Sequence, residues 1–239
     1  STTTPAKIDD MWHAAYNSRG EFFSARDPNE LIQGLQSALS TISARTGSVA
    51  ALSMNSGFVT NNRTAVSYIA QFNYGDWTGK LKAVTIKSDG TFDLGNPLWE
   101  TNKSTSAFAN QSPTSRKIFT LNGTNGVEFL WANLNSTQQG YLNKNSITGV
   151  TDTKGSARLD FLRGKGVAAG DKDWRLENKF RYRQTMLGDI VDSDPFFVDY
   201  GDEDVIYVGA NDGMLHAFRA SDGQELFAYV PNALFPKLN

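Results

Sequence analysis

The sequence contains no cysteine, which excludes disulfide cross-links, thiol catalysis and every metal site built on thiolates. Histidine is nearly as scarce. His13 and His216 are the only two, and neither belongs to a set of nucleophile, base and orienting acid that would make a triad. Charge of one sign is missing as well: Lys plus Arg (23) nearly balance Asp plus Glu (25), leaving a net charge of -2. No strong field therefore favours nucleic acid or an anionic membrane. There is no apolar run of membrane-spanning length and no secretory signal sequence. The chain opens Ser1-Thr2-Thr3-Thr4-Pro5 without methionine, and the expectation is a processed or excised segment of something longer.

What the sequence does have is a strongly punctuated stretch at 192–231. Phe196-Phe197-Val198 leads into the polar break Asp199-Tyr200-Gly201-Asp202-Glu203-Asp204, and the β-branched and aromatic run Val205-Ile206-Tyr207-Val208 follows. Asn211-Asp212-Gly213 supplies the positive-φ positions of a tight hairpin turn. Met214 to Arg219 then alternates before Ser221-Asp222-Gly223 turns the chain again, and 224–230 forms a fourth strand. A four-strand meander in about 40 residues has the size of a β-propeller blade, which buries both faces only when neighbouring blades stack on it.

A blade should recur, and the same punctuation is found once more. Gly79-Lys80-Leu81-Lys82-Ala83 followed by Ser88-Asp89-Gly90 repeats Gly213-Met214-Leu215-His216-Ala217 followed by Ser221-Asp222-Gly223. Leu98-Trp99 closes the first copy and Leu226-Phe227 the second. The reading places turns at Gly79, Gly90, Asn211, Asp212, Gly213 and Gly223, puts Leu and Ala two apart on one buried face, and docks the closing aromatic on the next blade. Hairpin chemistry at Asn122-Gly123-Thr124-Asn125-Gly126, between strands at 116–120 and 127–131, suggests another blade there.

Residues 1–47 are expected to be a lead-in with one amphipathic helix. Asp27-Pro28-Asn29-Glu30 is a strong helix start, and Leu31, Ile32, Leu35, Ala38, Leu39 and Ile42 fall on one face. Residues 48–239 are then the β domain. Its 133–155 passage, rich in Asn, Gln, Ser and Thr, resists ordering, whereas 156–164 suits a short helix.

Among possible sites, the carboxylates of 189–204 are dense enough to suggest Ca²⁺, with Asp192, Asp194, Asp202 and Asp204 as the candidate ligands. Their spacing does not form an Asp-x-Asp-x-Asp loop with its glycine and terminal acid, and it favours solvated turn acids. His216 alternates with Leu215 and Ala217 and reads as a packed or hydrogen-bonded structural residue rather than a base.

Three stretches carry a family resemblance: 187–195, 207–218 and Glu225-Leu226-Phe227-Ala228-Tyr229-Val230-Pro231. Together they resemble the β-propeller domain of the PilC/PilY type IV pilus tip proteins, and 10–23, 27–35 and 159–164 resemble parts of the segment leading into it. The resemblance implies a mainly β fold, a partial β-propeller with too few blades here to close a ring, preceded by an N-terminal helix. It also implies an extracellular protein at the pilus tip or outer-membrane surface. That protein would contact minor pilins, promote pilus extension against retraction, and attach to host cells or abiotic surfaces. The family's Asp-rich Ca²⁺ loop has no counterpart here, so no cofactor is expected within this segment. A quinoprotein dehydrogenase propeller is the rival from another class, since 207–227 is also similar to its blade repeat. It lacks support from the site, because the vicinal cysteine pair of that family is absent. A purely structural scaffold fragment is the third reading.

Overall fold

The computed structural model describes His13, residues 48–54 as backbone, and residues 66–87, 91–145 and 147–239. The chain divides into two compact units, Ser1–Thr46 and Gly47–Asn239. His13 is helical and exposed. The rest of the expected lead-in, with the helix read over 31–42, lies outside the described residues, as does the turn read at Ser88-Asp89-Gly90.

Within the second unit the first sheet is an antiparallel meander of β1 (Ser48–Met54), β2 (Val66–Asn73), β3 (Thr78–Thr85) and β4 (Trp99–Glu100), in that order. Tyr68, Ala70, Leu81, Ala83 and Trp99 are brought to one face by the pairs Tyr68–Ala83, Ala70–Leu81 and Ala83–Trp99, as the two-residue period of a strand requires.

The second sheet has six strands in the order β6-β5-β10-β9-β8-β7. The hairpin comprises β5 (Ile118–Asn122) and β6 (Asn125–Glu128). The meander comprises β7 (Phe196–Val198), β8 (Val205–Ala210), β9 (Met214–Arg219) and β10 (Glu225–Val230). All four meander strands fall inside the stretch read from the sequence. The hairpin does not found a blade of its own. β5 pairs in parallel with β10, Ile118 opposite Ala228 and Thr120 opposite Val230, so it extends the meander and closes the β10 edge. The Thr120 hydroxyl donates to the Val230 carbonyl at 2.8 Å and helps to fix that register.

Between β6 and β7 lie three short helices, α1 (Ser136–Leu142), α2 (Gly155–Arg163) and α3 (Lys172–Asn178). α1 begins at a reciprocal capping box in which the Asn135 side chain accepts from the Gln138 N–H and the Gln138 side chain accepts from the Asn135 N–H.

Two cores result. One joins the sheets: Tyr68, Leu81, Ala83 and Trp99 pack with Ile206, Val208 and Phe218, and Phe108, Met186, Leu187 and Ile190 fill between them. Tyr68 stacks on Phe197 of β7 with ring centres 5.7 Å apart. The other core packs Ile118, Ala228, Val230 and Met214 against Leu142 of α1, Leu159 of α2 and Phe235 of a closing 3₁₀ turn. Among the described residues the architecture is mainly β, with few helices and no closed ring, and is consistent with a partial β-propeller-like segment.

Candidate functional site

The turn between β8 and β9 is where the polar residues of the second unit converge. Asn211-Asp212-Gly213 reverses the chain, and Gly213 takes φ 85°, a backbone conformation costly to any residue with a Cβ. The two residues before it do more than turn. Asn211 donates its backbone N–H to the Asp189 carbonyl and its side-chain amide to the Asp189 carboxylate, at 2.9 and 2.7 Å. Asp212 accepts from the Gly188 N–H at 2.9 Å through one oxygen and from the Met214 N–H at 3.1 Å through the other.

From Asp212 a row of charges runs beneath the sheet. His216 is fully buried on β9. Its Nε2 lies 3.2 Å from Asp212 Oδ1 and its Nδ1 lies 2.7 Å from Glu225 Oε1. Glu225, the first residue of β10, receives Arg116 in a two-pronged pair at 2.6 and 2.7 Å. Arg116 also donates to the Arg163 carbonyl at the end of α2 at 2.7 Å, satisfying a helix carbonyl that has no partner within the helix. Arg163 in turn donates to the carbonyls of Phe129 and Arg116.

Four buried charges thus alternate in sign, which is what makes their burial tolerable. Burial alone would drive His216 down, but the Asp212 carboxylate and the hydrogen bonds with Asp212 and Glu225 outweigh it and hold its pKa up to about 9. Burial likewise pushes Glu225 upward, yet the Arg116 charge and hydrogen bonds hold it down to about 2. Asp212 is lowered against its own burial by His216. His216 therefore keeps its proton through neutral pH and donates from both ring nitrogens, so it is a structural cation there and not a base.

The other glycines divide by role. Gly223 turns the chain with φ 71°, and a Cβ there would sit 2.5 Å from the Trp99 ring. Trp99 also donates its Nε1–H to the Ala220 carbonyl at 2.8 Å, so the closing aromatic of the first sheet docks on the turn of the second. Phe227 has no such seat. It is half-buried and meets Tyr207 of its own sheet edge-on at 6.3 Å. Gly79 is not a turn residue. It is the second position of β3, and its N–H donates to the Leu187 carbonyl at 3.0 Å. A Cβ on it would overlap the Gly188 carbonyl oxygen, so glycine serves close approach there rather than a bend.

The candidate Ca²⁺ ligands are not gathered. Asp192, Asp194 and Asp202 are exposed, Asp204 is half-buried, and among the described residues no three acidic or histidine side chains form a group that could hold a metal ion. Ca²⁺ does not fit this donor set, which would need several oxygens around one point. Arg116, Glu225 and Gly188, which belong to or brace the buried network, were not singled out as site residues by sequence reading, and Asp189, read there among the dense carboxylates, instead accepts from Asn211. The pair Arg116 and Glu225 is 109 residues apart in the chain and leaves no local signal. Among the described residues no helix is long and apolar enough to cross a membrane.

No protein-family model matches the chain, and no solved structure matches it. Several curated proteins do. The type IV pilus biogenesis factor PilY1 of Pseudomonas aeruginosa strain UCBPP-PA14 is 34% identical over 270 aligned positions, which cover 98% of this chain and 22% of that protein. PilY1 of strain PAO1 is 33% identical over 97% of the chain, and a PilY1 homolog of Xylella fastidiosa is 30% identical over 91%. The chain spans about a fifth of the length of the relatives it matches. Over that stretch, nearly its whole length, the chain is of the PilY1 type by similarity to these relatives.

Proposed function

We propose that this chain is the first part of a β-propeller in a type IV pilus biogenesis factor that acts by binding proteins rather than by catalysis. The observation that carries this reading is the similarity over nearly the whole chain to factors named for pilus biogenesis in two genera. The buried network supports it, because Arg116, Glu225 and His216 spend their charges on one another and tie the meander to the helices. In this reading the protein works outside the cell, at the pilus tip or the outer-membrane surface. It contacts minor pilins, favours extension over retraction, and carries attachment to host cells or abiotic surfaces.

The mode of pilin binding that suits the fold is strand addition at a sheet edge. β5 occupies the β10 edge, so the six-stranded sheet ends at β6 and at β7, and this reading takes the meander's own edge, β7, where Phe196–Val198 pairs only with β8. Hydrogen exchange on the full-length polypeptide tests this. Amides of 196–198 are expected to gain protection when purified minor pilins are added. Unchanged exchange in that strand, with binding demonstrated independently, would overturn the strand-addition mode. No binding of any minor pilin would overturn the functional reading.

A further inference from the structure

Three buried arginines of the second unit are satisfied to different degrees. Arg116 takes the Glu225 carboxylate in a two-pronged pair. Arg163 spends its guanidinium on the carbonyls of Phe129, Pro113 and Arg116. Arg183, only 2% exposed, is left short. Its Nη2 donates to the Phe161 carbonyl and its guanidinium lies 4.1 Å from the centre of the Phe161 ring, but its buried Nε meets no acceptor among the described residues. Burial lowers its pKa to about 9, and the Asp212 charge offsets this only in part. Arg183 is therefore a cation at neutral pH, and a buried cation without a carboxylate partner is costly.

Arg183 also lines a cavity of about 530 Å³, bounded by α2, by the chain that follows α3 and by the Asn211-Asp212 turn. That volume is in the range of small-ligand sites. Lys154, Lys179, Arg181 and Lys237 line it too. Lys154 donates to the Asn178 carbonyl at 3.2 Å, and Arg181 donates to the carbonyls of Asp76 and Trp77. The acids in the wall are already engaged: Asp152 with Arg158 at 2.6 and 2.7 Å, Asp212 with His216, and Asp189 with the Asn211 amide. The cavity thus carries a surplus of positive charge beside an apolar wall, where Phe161 stacks on Phe180 with ring centres 4.7 Å apart.

We propose that this cavity is a binding site for a ligand bearing two or more carboxylates, one taken by Arg183 and the others by Lys154 and Lys179. Carboxylate is the chemistry that fits. The planar guanidinium fork matches a planar pair of oxygens, and Arg116 with Glu225 shows that pairing in the same fold. A phosphate site would draw on backbone N–H groups at a helix start. At the start of α2 those of Lys154 and Gly155 are spent on the side chains of Asp152 and Asn143. The ligand is a free polycarboxylate or a cluster of acidic side chains on a protein, and the proposal does not depend on pilin binding or on strand addition.

Titration calorimetry of the full-length polypeptide tests it with two probes, tricarballylate and an N-acetylated, C-amidated triglutamate peptide. Saturable binding of tricarballylate would support a free polycarboxylate, and binding of the peptide alone would support an acidic protein segment. Saturating probe is expected to shield Lys154 and Lys179 from chemical acetylation while the exposed Lys117 reacts as before. Arg183→Met is expected to weaken binding on the order of thirty-fold. Lys179→Gln, at an exposed position, is expected to weaken it by about five-fold with an unchanged unfolding midpoint, which separates lost binding from lost folding. Failure of both probes to bind, binding that Lys179→Gln leaves unaltered, or inorganic phosphate shielding the same lysines at lower concentration than tricarballylate would each overturn the proposal.

Discussion

The two sheets repeat one pattern and solve different problems with it. At the position two before the alanine shared by the two copies, Leu81 is fully buried and Leu215 is among the exposed apolar residues. One residue later, Lys82 and His216 are both buried. Burial and the neighbouring Lys80 charge lower the Lys82 pKa, whereas the carboxylates around His216 raise its own. The glycine that opens each copy is a close-approach residue at Gly79 and a turn at Gly213. A repeat thus preserves strand register and the alternation of faces, while the chemistry of each position is set by what lies across from it.

The largest effect should come from breaking the second sheet's private feature, its row of buried charges. Glu225→Ala strands Arg116 and His216 without their acceptor and is expected to cost about 3–5 kcal/mol in denaturant unfolding. Replacing both members, Arg116→Met with Glu225→Leu, should recover only the part due to the stranded Arg116 charge, since His216 still lacks its acceptor and the Arg163 carbonyl its donor. A double variant as unstable as the single one would show that the network does more than compensate its own burial.

The aromatics that close the two copies give a direct contrast. Trp99→Ala removes a side chain seated in the core between the sheets and should cost about 3 kcal/mol or more. Phe227→Ala, measured in the same 239-residue chain, should cost about 1 kcal/mol, because its ring is only partly buried. Equal midpoints for the two variants would dissolve the distinction between a covered and an open face.

Glycine replacement separates close approach from a turn. Gly213→Val is expected to cost about 1–3 kcal/mol for its left-handed backbone, and Gly213→Asn less, since Asn tolerates that region. At Gly79, Asn should be no better than Val, because any Cβ meets the Gly188 carbonyl. A rescue by Asn at both sites would mean that both are turns.

Titration distinguishes His216 from Lys82. The raised His216 pKa contributes stability that is fully present below about pH 6.5 and is lost as pH rises through about 9. The lowered Glu225 pKa contributes stability that is present above about pH 4.5 and is lost as pH falls through about 2. Maximal contribution from the network therefore lies between those limits. His216→Gln should flatten the alkaline fall by about 1–3 kcal/mol, as read from unfolding midpoints between pH 6 and 9. An unaltered alkaline slope in that variant would remove His216 as its source.

The meander at 192–231 was legible because its determinants are local: Asn-Asp-Gly and Ser-Asp-Gly turns separate alternating strands within a few residues of each other. The capping box of α1 was also written in the sequence, as Asn135 and Gln138 three apart, but it was hidden in a polar passage with few apolar positions to mark a helical face. The parallel partner of β10 was not legible. Its hairpin has good turn chemistry and reads equally well as the start of another sheet, and nothing near 118–122 names Ala228 and Val230 as neighbours. Gly79 was misassigned for a related reason. A glycine announces that a Cβ is unwelcome, and only the three-dimensional neighbour, here Gly188, tells whether conformation or space forbids it.

The parallel seam between β5 and β10 also orders the molecule in time. Thr120 and Val230 are 110 residues apart, so at a synthesis rate of roughly 5–20 residues per second the hairpin waits on the order of ten seconds for the strand that completes its sheet. During that interval Ile118 and Phe129 have no sheet to cover them, and Arg116 has no carboxylate. The meander's strands meet across short turns, whereas the hairpin must find β10 across a long intervening chain, which costs more loop-closure entropy. Contacts of such long sequence separation are expected to slow the closing of the second sheet relative to its meander.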